Sequence, residues 1–338
     1  MRFKNIDKLI LFGGSFLMAE IASQLANHND FEIVVFSSAR HLDEKLPKQT
    51  LRTILKKNKI RYFNSENINT DKRLPKEITP RSLGVAIGAA WVFDAKVVNR
   101  FAKNHLLDCM SIDLPRYRGG AHHTWRILHQ NNKGVVNMQI IKGGIKAFQL
   151  GPVIMREEFT YPAKFQKTSD FYNFAVKKEA LFLKKFLRQL KLGKNFAVIK
   201  LNESESSTYP FLSTKDHGLI NWAWAGEDIA LFINALDDPY PGASTFYNRK
   251  KVFIKDCQLL PPQEKYHPFT AGVVVRKNKQ GIYLATLGNL LLVKKVYDNH
   301  ARSIINKITV GSRFFTPSSE LDKAAQFQVE YDAIGIKK

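Results

Sequence analysis

Four stretches of this chain are apolar almost without interruption: "LILFGG" at 9–14, "FEIVVFSS" at 31–38, "LGVAIGAAW" at 83–91 and "LLDCMSI" at 106–112. A strand with one wet face alternates polar and apolar residues. An unbroken run marks a strand covered on both faces, as in a parallel sheet. Helix-like segments separate the runs. Ser15 is placed to cap the helix "FLMAEIASQLANH" (16–28), a helical stretch near 47–57 leads into "IRYFNS" (60–65), and "AKVVNRFAKN" (95–104) reads as helical too. Strands alternating with helices imply the fold class α/β, with a Rossmann-like, doubly wound, mostly parallel sheet.

The pattern continues with a helix, "HTWRILHQ" (123–130), and two strands, "VVNMQIIKGG" (135–144) and "PVIMREEF" (152–159), joined by "IKAFQLG". Residues 169–194 read as a long amphipathic helix that closes this unit. The polar stretch "LNESESSTYP" (201–210) reads as a linker. Beyond it come one helix, "GEDIALFINAL" (226–236), the turn "DDPYPGAS" (237–244), and strand-like runs "KKVFIKD", "AGVVVRK", "GIYLATLG" and "NLLLVKKVY". That succession suits a small β-barrel-like domain. The expected domains are 1–205 and 206–338, consistent with two domains for 338 residues.

Composition excludes several classes. No apolar run reaches the ~18–20 residues a membrane helix needs. The opening "MRFKNIDKLILFGGSF" reads as a buried first strand rather than a signal peptide. Cys109 and Cys257 lie far apart in strand-like contexts, which fits two buried thiols in a reducing, cytoplasmic setting and neither a disulfide framework nor a metal site. The net charge is +22, and residues 1–205 carry 35 basic and 18 acidic side chains. Such a field attracts polyglutamylated cofactors, nucleotide phosphates, RNA or acidic lipid without choosing among them. Lysine-rich stretches such as "KKEALFLKKFLRQLKLGK" (177–194) read as solvated helix faces.

Gly13-Gly14 is too little for a dinucleotide site, since no GxGxxG is present and no acidic residue ends the second strand. The pair reads as a tight strand-to-helix turn. In an open α/β sheet the functional crevice lies beyond the carboxyl ends of the strands, where "IGAAW" and "LDCMSIDLP" fall.

Several stretches in this order resemble the formyltransferase family, whose enzymes use 10-formyltetrahydrofolate to formylate an amine on methionyl-tRNA or on a nucleotide-linked amino sugar. They are "LPRYRGG" (114–120), "LGPVI" (150–154), the run from "INWAW" through "DIALFINALDDPYPGASTFYNRKKVFIKD", and "VGSRFFTP" (310–317). The resemblance implies that an OB-like domain follows the Rossmann-like one. It also implies a catalytic Asn-x-His before the Leu-Pro and an Asp before the "LGPVI"-like run. An amine attacks the formyl carbon, so a base must take its proton and donors must face the developing oxyanion.

Counted without a gap, those three positions hold Asp108, Met110 and Gln149. A thioether moves no proton, an ionised carboxylate repels an oxyanion, and an amide lends no negative charge to an imidazolium. Asp108 could donate only if burial raised its pKa far above its ordinary value. A three-residue gap would place Ser111 and Asp113 at the first two positions and still supply no histidine. His122 and His123, just past the loop, are the available substitutes. The resemblance implies cofactor contacts at Gly88, Ala89, Ala90, Trp91, Pro115, Arg118 and Gly119, with Trp91 bordering a pteridine or packing in the core. Arg116 and Arg118 either face an anion or form salt bridges.

Three readings follow. The replaced triad points to a degenerate homologue that kept fold and pocket without the standard transfer. The alternatives are an active N-formyltransferase on a nucleotide-linked amino sugar or similar amine with a rearranged catalytic set, and a basic RNA- or partner-binding protein. The cofactor is 10-formyltetrahydrofolate if the donor site is retained and otherwise none. The expected partner is a small-molecule amine acceptor; nucleic acid is less favoured, and no membrane is expected.

Overall fold

The computed structural model describes residues 1–25, 30–44, 46, 49–261 and 266–330. The ends of two expected helices (26–28 and 47–48) and the last stretch of the expected second domain (331–338) lie outside the described residues. In chain order the structure begins β1 (Lys8–Gly13), α1 (Ser15–Leu25), β2 (Glu32–Ser37), α2 (Ala39–Leu42), α3 (Leu51–Lys57), β3 (Arg61–Asn64), α4 (Leu74–Glu77), β4 (Ser82–Ile87), α5 (Ala95–Val98) and β5 (Leu106–Met110). It continues with β6 (Arg118–Gly119), α6 (His122–Leu128), β7 (Lys133–Ile140), β8 (Val153–Thr160), α7 (Thr168–Lys191) and β9 (Thr208–Tyr209).

The first sheet has the order β3-β2-β1-β4-β5-β7-β8. Its strands β1 to β5 are parallel, and β7 and β8 join antiparallel at one edge. Both faces are covered, which is why the strands read as unbroken apolar runs. Leu9 and Leu11 pack with Met18 and Ile21 of α1 and Leu183 and Phe186 of α7. Ile10 and Phe12, one residue out of phase, pack on the opposite face with Phe36, Trp91, Phe93 and Phe101.

Local details depart from expectation. Ser15 is not a cap but the first residue of α1, with φ of +80°. Gly13 has φ of +122°, and a side chain there would collide with the carbonyl oxygen of Ile87, so the strand-to-helix turn needs the glycine. "AKVVNRFAKN" forms only the single turn α5, because Phe101 swings into the core beside Gly84.

The second unit contains α8 (Thr214–His217), α9 (Gly226–Ala235), β10 (Ala243–Tyr247), β11 (Lys250–Leu260), β12 (Val274–Asn278), β13 (Gly281–Ala285), β14 (Leu290–Tyr297), β15 (Phe314–Phe315) and α10 (Ser318–Gln326). Its antiparallel sheet runs β12-β13-β14-β11-β10-β15. The first and last strands of that order meet through the bridge Val273–Arg313 and the bonds Val274 N–Ser312 O (2.8 Å) and Phe314 N–Gly272 O (2.8 Å). The sheet thereby curls into an OB-like barrel, with Ile229 and Ile233 of α9 packed against Val252 and Ile254. Ala243 and Ser244, expected in a turn, instead open β10, paired with Ile254 and Phe253 of β11.

The stretch 201–210 is no slack linker. Its strand β9 pairs with β6, and Ser207 donates to the carbonyl of Arg116. It acts as a strap over the 114–120 loop. Gly119 has φ of +106°, and a side chain there would run into the carbonyl of Tyr209. Gly119→Ala is therefore expected to destabilise the protein by roughly 1–3 kcal/mol. Urea unfolding reads this directly, and an unchanged midpoint would show that the strap does not hold the loop. Among the described residues no helix is long and apolar enough to cross a membrane. Cys109 and Cys257 are buried free thiols.

Candidate functional site

At the carboxyl ends of β4 and β5 lies a cavity of about 340 Å³. Its walls are Gly88, Ala89 and Trp91 after β4, Asp108, Met110 and Ser111 of β5 and its extension, and His122 and His123 of α6. Gln139 of β7, Phe148 and Gln149 of the β7–β8 connection, and Tyr172 and Glu179 of α7 complete them. Asp108, Met110, Gln149 and both histidines thus face one space. Ala90, Pro115, Arg118 and Gly119 are not in its lining.

The loop beside the cavity is held from beneath. Asp113 is 1% exposed and receives Arg156 Nη2 at 2.7 Å. Arg156 also donates to the Leu114 carbonyl (2.9 Å) and to Asn137 Oδ1 (3.1 Å). Asp113 therefore belongs to the loop's anchor rather than to the cavity, whereas Asp108, Met110 and Ser111 all line it. Arg118 spends its guanidinium on Glu203 (2.8 and 2.9 Å) and Ser206, and its Nε on the Gln149 carbonyl (3.2 Å). Arg116 pairs with Glu205. Both loop arginines form salt bridges to the strap, and Arg118 presents no free edge to the cavity.

Gln149 is engaged as well. Its Oε1 accepts from the Gly119 amide at 2.8 Å and its Nε2 donates to the Gly119 carbonyl at 3.4 Å. Trp91 is 4% exposed and donates to the Glu66 carbonyl at 3.0 Å, so it packs in the core and borders the cavity at once.

The electrostatics are unusual. Burial pushes the Asp108 carboxyl up to about 7, and the neighbouring Glu179 adds to the rise. Burial raises Glu179 too, opposed by the hydroxyl and backbone amide of Ser111. Burial pulls His122 down to about 3, with Arg126 reinforcing the effect, and His123 is depressed by burial, by His122 and by Arg126. The two imidazoles lie 4.0 Å apart, and neither His122 Nε2 nor His123 Nδ1 has a partner among the described residues. Arg126, fully buried, lies 5.4 Å from each of the Tyr117 and Tyr161 rings.

Sequence reading missed Glu179, placing it on a solvated face. The available signal was helical phase: Glu179 shares a stripe with the buried Val176, Ala180 and Leu183. Tyr172 and Gln139 were missed as well, and nothing local in the sequence marks either one.

A cavity of mixed polar and apolar lining at the carboxyl edge of a Rossmann-like sheet, in a chain whose second sheet curls into an OB-like barrel, places the protein in the α/β class. Residues 212–307 match the family described as formyl transferase, C-terminal domain. The methionyl-tRNA formyltransferase of Desulfotalea psychrophila is 26% identical over 196 residues, covering 56% of this chain and 57% of that protein, so this alignment spans little more than half of the relative. That of Mycoplasma mycoides subsp. mycoides is 24% identical over 89% of this chain and 94% of its own length. Among solved structures, the N-formyltransferase from Helicobacter canadensis in complex with folinic acid and dTDP-3-aminofucose superposes with a TM-score of 0.64 at 16% identity, covering 86% of this chain and 99% of that one. HypX from Aquifex aeolicus in complex with tetrahydrofolic acid superposes with a TM-score of 0.53 at 14% identity, covering 88% and 45%. Along most of its length the chain is similar to the formyltransferase family, and residues 212–307 match that family's C-terminal domain.

Proposed function

We propose that the cavity binds a reduced folate of the 10-formyltetrahydrofolate type and that the chain does not perform the family's histidine-dependent formyl transfer. The observation that carries the second half is Met110 in the cavity wall, where an imidazole is required. Gln149, where an acid should orient that imidazole, is bound to Gly119 at both ends of its amide. The histidines nearby do not replace it, because His122, held near 3, and His123, also depressed by burial, are poor proton acceptors at neutral pH. The folate reading draws support from the apolar walls around Trp91 and Phe148 and from a volume in the range of small-ligand pockets.

In this reading Gly88, Ala89 and Trp91 border the pterin ring, while Ala90, Pro115, Arg118 and Gly119 shape the wall from behind. Domain limits of 1–205 and 206–338, a cytoplasmic setting, and a small amine such as a nucleotide-linked amino sugar as the second ligand belong to the same proposal. Folinic acid titrated into the protein in a calorimeter is expected to bind saturably in the micromolar range, and Trp91→Ala to weaken it about tenfold through lost stacking area. No saturable heat up to millimolar folinic acid would overturn the folate reading.

A second reading, transfer by a rearranged set, has one observation in its favour. Asp108, at about 7, is poised where an acid–base group works best.

A further inference from the structure

Arg126 is fully buried, and its Nε, Nη1 and Nη2 have no hydrogen-bond partner among the described residues. The turn after α6 fixes where it lies. The Arg126 carbonyl accepts from the Asn131 amide at 2.9 Å, and the Asn132 carbonyl accepts from the Tyr161 amide at 2.8 Å. Arg126 is thereby set beside Tyr161, its Cζ 5.4 Å from that ring and 5.4 Å from the ring of Tyr117. Tyr161 is 1% exposed and sits among Phe159, Phe171 and Phe174, with ring centroids 4.9, 4.7 and 5.6 Å away. Its hydroxyl also has no partner among the described residues. The Tyr117 hydroxyl is engaged elsewhere, accepting from Asn131 Nδ2 at 3.0 Å.

A guanidinium stays charged in a protein and carries five N–H donors and no acceptor. Taken out of water without a counter-charge, it loses more than two tyrosine rings give back. The acid that acts on Arg126 is Asp113, and its carboxylate is already occupied. Arg156 Nη2 holds one oxygen at 2.7 Å, and Arg116 lies 3.9 Å from the other. The orphaned atoms of Arg126 and Tyr161 can all donate, so what completes the site is an acceptor that carries negative charge. We propose that Arg126 and Tyr161 hold a small monovalent anion of chloride size, in a site separate from the cavity at β4 and β5, whose lining includes neither residue. This goes beyond the folate reading and does not depend on it.

Charge and surroundings both select the ligand. His122 and His123, four and three residues before Arg126 on α6, share its side of the helix and are neutral at pH 7, so the anion answers one guanidinium. A dianion would leave a net charge in a low-dielectric shell. A water would supply lone pairs and no charge. The rings around Tyr161 carry positive potential at their edges, so this shell tolerates an anion where carboxylates would repel one.

The test is urea unfolding of the full chain at neutral pH and fixed ionic strength, with sodium chloride exchanged for sodium gluconate, a bulky anion. Raising chloride from none to about 100 mM is expected to lower the unfolding equilibrium constant about tenfold or more, the effect of a ligand that binds the folded state alone. Arg126→Met keeps an apolar stem and should abolish the dependence. Without chloride it should be at least as stable as the unaltered chain, since the stranded charge is gone. Tyr161→Phe, which removes one donor, should weaken chloride about fivefold. Crystals grown in sodium bromide give a readout that needs no variant: an anomalous peak is expected within hydrogen-bonding reach of the Arg126 guanidinium. Unfolding that ignores the exchange of anions would overturn the site, and a bound water in the anion's place gives that result. A chloride effect of equal size in Arg126→Met would overturn it too, because such an effect belongs to the surface of a chain with net charge +22. So would bromide crystals with no peak at Arg126.

Discussion

Asp113→Ala is expected to lower the unfolding free energy by about 3–5 kcal/mol, the loss typical when one partner of a buried ion pair is removed. Asp113 is 1% exposed and the Arg156 side chain 13%, so water does little to screen the pair. Without the carboxylate, the guanidinium stays beneath the loop with, among the described residues, the Leu114 carbonyl, Asn137 and a distant Glu158 oxygen at 3.4 Å. The damage should reach the cavity, because the same arginine fixes the start of the 114–120 loop. Urea unfolding measures the stability loss and folinic acid titration its consequence. Asp113→Ala combined with Arg156→Met should recover much of the loss, since the stranded charge goes too. A single variant that loses less than about 1 kcal/mol, the scale of an exposed pair, would remove this ion pair from the account of the loop.

The other large effect is expected from installing the three groups that the formyltransferase resemblance implies at positions 108, 110 and 149. Asp108→Asn, Met110→His and Gln149→Asp together should speed formyl transfer from 10-formyltetrahydrofolate to an added small amine, hydroxylamine, by about 10²–10⁴-fold, the range of one positioned acid–base group. The three positions already face one cavity, so the new groups converge without moving the backbone. Met110→His alone should recover less, because nothing orients the ring. A triple variant no faster than the unaltered chain would overturn the proposal that Met110 prevents the histidine-dependent transfer. Asp108→Ala in the unaltered chain separates the second reading: a residual rate that falls about tenfold or more belongs to the carboxylate, and an unchanged one does not.

The sheet was legible because its signal is local. Unbroken apolar runs at β1, β2, β4 and β5 state that both faces are covered, and the helices between them imply the parallel order. The frame of the cavity was legible for the same reason, since Asp108, Met110 and the Leu-Pro loop are neighbours in the chain. The partners of Arg116 and Arg118 were not, because Glu205 and Glu203 lie 85 to 89 residues away and meet them only once the strap is laid across the loop. Glu179 was hidden differently. Five lysines and an arginine around it suggest a wet face, and only the helical phase through Val176 and Leu183 turns it inward. Strand β10 was obscured by the turn chemistry of "DDPYPGAS", whose last two residues already belong to the ladder.

The strap has one more consequence. Proteins built from two folded units commonly keep a hinge between them, and ligand-driven closure happens there. Here the crossing segment is itself a strand, bonded to the loop beside the cavity, and α6 with its two histidines packs through Ile127 into the same cluster as Ala235 and Leu231 of α9. The connection is therefore a packed and hydrogen-bonded one and not a loose tether. The barrel and the cavity share a packed wall, with α6 common to both.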